Sequence, residues 1–124
     1  PFDDGIFDIV IDRGAIVCAN LEGGKKAVNE AQRVLIKGGK FFFNPYSQAH
    51  TSFIAGELQE DGFSKNITAG LVGVGSLCFY SHRDVLKTLQ NGWDIKSIKH
   101  KEHREVLNIE QTTHAEWEVI AQKI

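Results

Sequence analysis

Phe7-Asp8-Ile9-Val10-Ile11-Asp12-Arg13-Gly14 constrains this chain more than any other stretch. Four of the five positions from Phe7 to Ile11 are apolar, and the run then stops at an acid, a base and a glycine. A short, near-continuous run rich in Ile and Val is the pattern of a strand buried on both faces, as in a parallel sheet with helices on either side. Such sheets bind ligands outside the carboxyl ends of their strands, which is where Asp12, Arg13 and Gly14 emerge. The run therefore predicts a ligand-facing strand met very early in the chain.

The next two segments fit a parallel sheet. After a small-residue loop, Ala27, Ala31, Val34 and Leu35 share one helical face while Lys25, Lys26, Asn29, Glu30 and Arg33 take the other. Asn20 is placed to cap the start, and Gly38 or Gly39 to end the helix, which is expected over about residues 22–36. Lys40-Phe41-Phe42-Phe43-Asn44, closed by Pro45, reads as a second buried strand. Strand, helix, strand with tight connections is a right-handed βαβ unit and a parallel pair.

Residues 48–80 carry a weaker pattern. Thr51 to Gln59 is expected as a short helix, followed by an Asp61-Gly62 turn and a glycine-rich apolar stretch from Gly70 to Gly75. Gly73-x-Gly75-x-x-Cys78 falls short of a dinucleotide fingerprint, because Cys78 stands for the third glycine and no helix signal comes directly after it. Ser81-x-x-Asp84 is a capping-box pattern opening a helix that Gly92 ends. Residues 93–99 and 115–123 alternate as half-exposed strands, and suggest an antiparallel pair with a long polar connection.

Charge and cysteine content exclude several classes. Fourteen basic against sixteen acidic residues give a net charge of −2 with no basic block, so no nucleic-acid partner is expected. No apolar run approaches the roughly 18–20 residues of a membrane span. The opening residues lack the basic-then-apolar order of a signal peptide. Cys18 and Cys78 lie far apart without metal-type spacing, and read as reduced, partly buried thiols of a cytoplasmic protein. His100-x-x-His103, with His114 and Glu102 as further candidate ligands, lies on a strand, where residues three apart point to opposite faces, so the solvated-strand reading is preferred and no metal site is expected.

Taken in order, FDIVIDRG, a helix ending Arg33-Val34-Leu35, Gly38-Gly39-Lys40 and the triple Phe resemble the second half of class I S-adenosylmethionine-dependent methyltransferases. In that family an FDxV strand is the fourth of the sheet. A helix ending RVLKPGG and a GGxFxF fifth strand come after it. Lys37 stands where the family has Pro, and the two glycines keep the helix-stopping role. Phe79-Tyr80-Ser81 entering a helix, then Gly92-Trp93 and a final antiparallel pair, extend the resemblance over nearly the whole chain.

The resemblance implies an α/β fold with a partial Rossmann-like sheet of order 4-5-7-6, its last strand antiparallel. Residues 1–124 would be a single domain, the carboxyl-terminal half of a methyltransferase domain, with 48–80 a substrate-side insertion. The family's glycine-rich ExGxGxG loop and the acid that holds the cofactor ribose belong to strands that this sequence does not match. The implied parent activity is methyl transfer from S-adenosylmethionine to a small-molecule acceptor, with this chain alone not competent for the cofactor. The alternative is a non-catalytic dimerisation or partner-binding module with half the fold.

By position, Asp12, Arg13 and Gly14 would border the cofactor's methyl end; Asp12 is equally suited to cap the turn after it. Asn44, Tyr46, His50 and Tyr80 are the substrate-side candidates. Asn44-Pro45-Tyr46 echoes an amino-methyltransferase motif, but it comes after the fifth strand rather than the fourth, so that role does not transfer. With the strands beyond it absent, Phe7–Ile11 becomes an exposed edge, and a homodimer joined there is expected.

Overall fold

Asn20 starts the long helix of the chain by accepting a hydrogen bond from the Gly23 N–H at 2.8 Å, which satisfies one of the donors that a helix start leaves orphaned. The computed structural model describes all 124 residues, Pro1–Ile124. Strand β1 is Phe7–Arg13, a single 3-10 turn covers Ile16–Cys18, and helix α1 is Leu21–Val34. Gly24, Val28, Ala31 and Val34 are its buried stripe.

The helix does not end on a glycine as expected. Leu35 is already extended and opens β2, Leu35–Asn44. Gly38 and Gly39 serve an irregularity inside that strand. Pairing moves from Phe7↔Leu35 to Ile9↔Lys40, so β2 advances five residues while β1 advances two, and three residues are looped out. Gly38 takes φ +81°, and a Cβ on Gly39 would meet Ile36 O at 2.9 Å and Asp8 O at 3.1 Å. Only glycines fit there.

Residues 48–80 hold more strand than the sequence suggests. Helix α2 stops at Ile54 (Thr51–Ile54), and the residues expected to continue it form β3, Glu57–Leu58. With β4, Phe63–Lys65, and β5, Leu77–Cys78, it makes a small antiparallel sheet of order β3-β4-β5. A Cβ on Gly56 would lie 3.0 Å from Ser52 O and 3.2 Å from Ile67 Cγ1, so the chain turns tightly where a longer helix would have run. The Asp61 carboxylate accepts from the Phe63 N–H at 3.0 Å and forms the expected turn. Helix α3, His82–Thr88, opens with the reciprocal Ser81/Asp84 capping box, at 3.1 and 2.9 Å.

The last two strands, β6 (Trp93–Arg104) and β7 (Thr113–Lys123), complete a four-stranded sheet of order β1-β2-β7-β6. β1 and β2 are parallel, and β7 runs antiparallel to both β2 and β6. The chain is thus α/β, and its strand order and directions are those that the resemblance implies.

One face of this sheet holds the core. Phe41, Phe43, Val119 and Ala121 pack there with Val28, Leu35, Tyr80, Val85, Leu89 and Trp93. Phe41 stacks on Phe43 at 5.6 Å and packs on Trp93 at 5.4 Å. The opposite face is bare. Ile9 and Ile11 are 60% and 68% exposed, and Ile120 is exposed beside Phe42. The expectation that β1 is buried on both faces is therefore corrected: α1 and α3 cover a single face of the sheet. β1 is an edge strand, as expected.

Both thiols are free. Cys78 is buried and burial pushes its thiol up to about 12, whereas Cys18 is exposed rather than partly buried. No helix is long and apolar enough to cross a membrane.

Candidate functional site

Two parallel strands end side by side, with Arg13 paired to Asn44 in the register of β1 and β2. Beyond Asn44 the chain does not leave the sheet at once. Ser47 N–H donates to Ala115 O at 2.9 Å, Trp117 N–H to Pro45 O at 2.8 Å and Tyr80 N–H to Tyr46 O at 2.7 Å. These bonds pin residues 45–47 between β7 and the approach to α3, and so fix Tyr46.

On β7, His114, Glu116 and Glu118 alternate onto the open face of the sheet, because strand neighbours two apart share a face. Their partners on β6 are His103, Lys101 and Lys99. The result is a cleft of about 560 Å³ at the carboxyl ends of β1 and β2. Arg13, Gly14, Asn44 and Tyr46 line one side, and His103, His114 and Glu116 line the other.

Its polar groups are organised. The Asn44 amide donates to Glu116 Oε2 at 2.9 Å and to Trp117 O at 2.7 Å, which fixes the orientation of the amide. Lys101 pairs with Glu118 at 2.9 Å, a bond that raises the lysine's pKa. Tyr46 stacks on Phe79 at 5.7 Å and meets the His114 ring edge-on at 5.6 Å. Burial, then the charges of Cys18 and Glu116, raise the Tyr46 hydroxyl's pKa, so it remains a donor at neutral pH.

His50 sits behind this wall, 3% exposed. Its Nδ1 accepts from the Ser52 N–H at 3.0 Å, and its Nε2 lies 3.2 Å from His114 Nδ1. Burial, with a smaller contribution from His114, lowers its pKa to about 4, and it is neutral at pH 7.

The seven residues proposed from sequence separate clearly. Arg13, Gly14, Asn44 and Tyr46 come together in the cleft. His50 touches it through His114. Asp12 does not: its Oδ1 accepts from the Ala15 and Ile16 N–H groups at 3.0 Å each, and its Oδ2 is 3.4 Å from the Asn44 N–H. Of its two readings, the turn cap is the one that these bonds display. Tyr80 is also corrected: it is fully buried, packed edge-on against Phe43, with its hydroxyl under α1 beside Gly24.

Glu116 was not singled out from sequence, and His103 and His114 were weighed there only as metal ligands. The signal was the polar face of the alternating strand 115–123, extended back by one residue to His114. His100 and His103 do take opposite faces: His100 lies against Trp117 with Nε2 2.7 Å from Ser47 Oγ, while His103 faces the cleft.

These residues do not by themselves fit a complete S-adenosylmethionine site. The Asp12 carboxylate is occupied by backbone donors. Gly73 and Gly75 form no cradle, because a Cβ on either would meet nothing within 4 Å. The groove along the β1 edge, where Phe2, Val10, Ile11, Ile16 and Phe41 gather, is chiefly apolar. Arg13 and Gly14 form one wall.

No protein-family model matches the sequence, and no curated protein matches it. Solved structures do. A SAM-dependent methyltransferase from Methanosarcina mazei superposes with a TM-score of 0.75 at 16% identity, over 99% of this chain and 62% of that one. The 1,6-didemethyltoxoflavin-N1-methyltransferase of Burkholderia thailandensis, solved with 1,6-didemethyltoxoflavin and S-adenosylhomocysteine bound, gives 0.60 at 13% identity over 97% and 45%. The CcbJ methyltransferase from Streptomyces caelestis gives 0.61 at 11% identity over 97% and 62%. The likeness is one of fold, and the chain spans less than two thirds of each of these three.

Proposed function

We propose that this chain is the acceptor-side, carboxyl-terminal half of a methyltransferase that moves a methyl group from S-adenosylmethionine to a small molecule. The observation that carries the reading is the polar cleft at the carboxyl ends of β1 and β2, on a sheet of methyltransferase order. Ligands of open α/β sheets bind at that end. In this reading Arg13 and Gly14 border the methyl end of the cofactor, and strands outside this chain supply the rest of its site. Asn44, Tyr46, His114 and Glu116 bind and orient the acceptor. Holding reactants in line is a large part of what such a reaction requires. The free thiols support a reducing, cytoplasmic setting.

Calorimetric titration with S-adenosylmethionine tests the half-site reading. Negligible binding to this chain alone is expected, and micromolar binding would overturn it. Sequencing the message upstream of the Pro1 codon tests the parent enzyme. An in-frame glycine-rich ExGxGxG loop is expected there; an immediately preceding stop or start codon favours the second reading.

That second reading is a non-catalytic module that dimerises through the β1 edge, and a specific observation favours it. Ile9 and Ile11 are bare beside unpaired strand edge, a surface that invites pairing with another copy. Sedimentation should show self-association that Ile11→Lys weakens. A wild-type chain that stays monomeric at high concentration would contradict it.

A further inference from the structure

The residues behind the cleft fix a proton. A backbone N–H can only donate, so the Ser52 N–H at 3.0 Å obliges His50 Nδ1 to accept. The single proton of the neutral His50 ring is therefore on Nε2. From there it is donated to His114 Nδ1 at 3.2 Å. His114 in turn keeps its own proton on Nε2, which faces Glu116 Oε2 at 3.6 Å. That spacing is longer than a direct hydrogen bond but favourable in sign. The same Oε2 accepts from Asn44 at 2.9 Å. Glu116 Oε1 makes no hydrogen bond within the chain and is the acceptor left over for a ligand.

We infer that His50 is a positioning residue: it sets the tautomer of His114, and through it holds Glu116 with Oε1 presented to the hydroxyl or amine of a bound small molecule. This rests on reading the cleft as the acceptor site. Three features argue against accidental packing. His50 is almost wholly buried, so its orientation is fixed. Its hydrogen-bond polarity is imposed by backbone, not chosen by the side chain. Two hydrogen bonds run in one direction from the α2 start to His114, whose Nε2 then faces an anionic group at 3.6 Å. The ordering of a ligand-facing histidine by the group on its other nitrogen is a general device.

Nitrogen-15 NMR of the imidazole rings reads the tautomer without ligand or cofactor. In the wild type, His114 Nδ1 should resonate as an unprotonated nitrogen and Nε2 as a protonated one. His50→Leu should move both toward averaged values. His50→Gln, which keeps an acceptor oxygen and a terminal N–H donor, should restore the wild-type pattern. A wild-type His114 protonated on Nδ1, or a pattern unchanged in His50→Leu, would overturn the inference. Should His50→Leu fail to fold, the wild-type spectrum and His50→Gln still decide.

The ligand half is tested with ethanolamine, which carries both an amine and a hydroxyl. Its backbone shift changes should centre on Glu116 and His114. Glu116→Gln should weaken them roughly tenfold, the usual effect of removing a charged hydrogen-bond partner. Exposed Glu60→Gln should leave them unchanged. Shifts absent around Glu116, or indifferent to Glu116→Gln, would overturn it. If this chain proved never to serve methyl transfer, the tautomer result would be unaffected, so the two failures are distinguishable.

Discussion

Tyr80 and Gly24 provide a sharp test of where the core ends and the cleft begins. The Tyr80 hydroxyl is buried with no hydrogen-bond partner. An unmet buried hydroxyl costs about 1–3 kcal/mol, so Tyr80→Phe should stabilise the chain by about 1 kcal/mol. For a domain of this size that is a rise in Tm of roughly 3–6 °C. Gly24→Ala acts in the opposite sense. Alanine in a helix interior gains about 1 kcal/mol over glycine, but its Cβ would overlap the Tyr80 hydroxyl oxygen and press Ile16 Cγ2 at 3.2 Å. Overpacking of that kind costs about 1–3 kcal/mol, so the single variant should lose about 1 kcal/mol. With the hydroxyl removed, the nearest atom of ring 80 is Cζ at 3.7 Å, an ordinary contact. The double variant should then be at least as stable as Tyr80→Phe alone, a coupling of about 1–2 kcal/mol. Urea unfolding at low protein concentration, read by tryptophan fluorescence, measures all four forms. Additive effects, or a Tyr80→Phe variant that loses stability, would refute the packing derived for this residue and return Tyr80 to the cleft.

The site's supports give two more expected outcomes. Asp12→Ala should lower stability by about 2 kcal/mol in urea, because two turn N–H groups at 3.0 Å lose their acceptor; Asp12→Asn should recover part of it, and a loss below about 0.5 kcal/mol would contradict the cap. His50 should make stability depend on pH. Its folded pKa of about 4 lies below the ordinary 6.5, so the unfolded chain binds the proton first. The contribution is whole above about pH 6.5 and is lost as pH falls toward 4, by up to about 3 kcal/mol. Denaturant midpoints across that range should slope less steeply in His50→Gln.

The sheet was readable because its signals are local. The apolar run of β1, the Asn20 cap, the Ser81/Asp84 box and the two alternating strands each announce themselves within a few residues, and each appears where expected. The misreadings are non-local. Gly38 and Gly39 looked like a helix stop because glycine marks several backbone shapes alike, and only pairing with β1 shows that a strand loops out there. Ile9 and Ile11 looked buried because sequence reports what a strand is suited to, not what stands on its face. In the cleft, Arg13, Gly14, Asn44 and Tyr46 come from the rule that strand ends bind ligands. Bringing Glu116 and His114 into the cleft required the register of β7 against β2 and β6, which the expected strand order does not supply.

That insertion delays completion of the sheet while the chain is being made. The last strand, β7, sits between β2 and β6, so β2 acquires its second neighbour only when residues 119–122 arrive. Joining Lys40 to Gln122 closes a loop of about 80 residues, an entropic cost of about 4 kcal/mol before any constant term. On the ribosome, at about 5–20 residues per second, the β1–α1–β2 unit waits on the order of 4–16 s for that strand. Through that interval the phenylalanine-rich β2 stands open along the edge that β7 will cover, and a nascent chain stalled there is the form most in need of a chaperone.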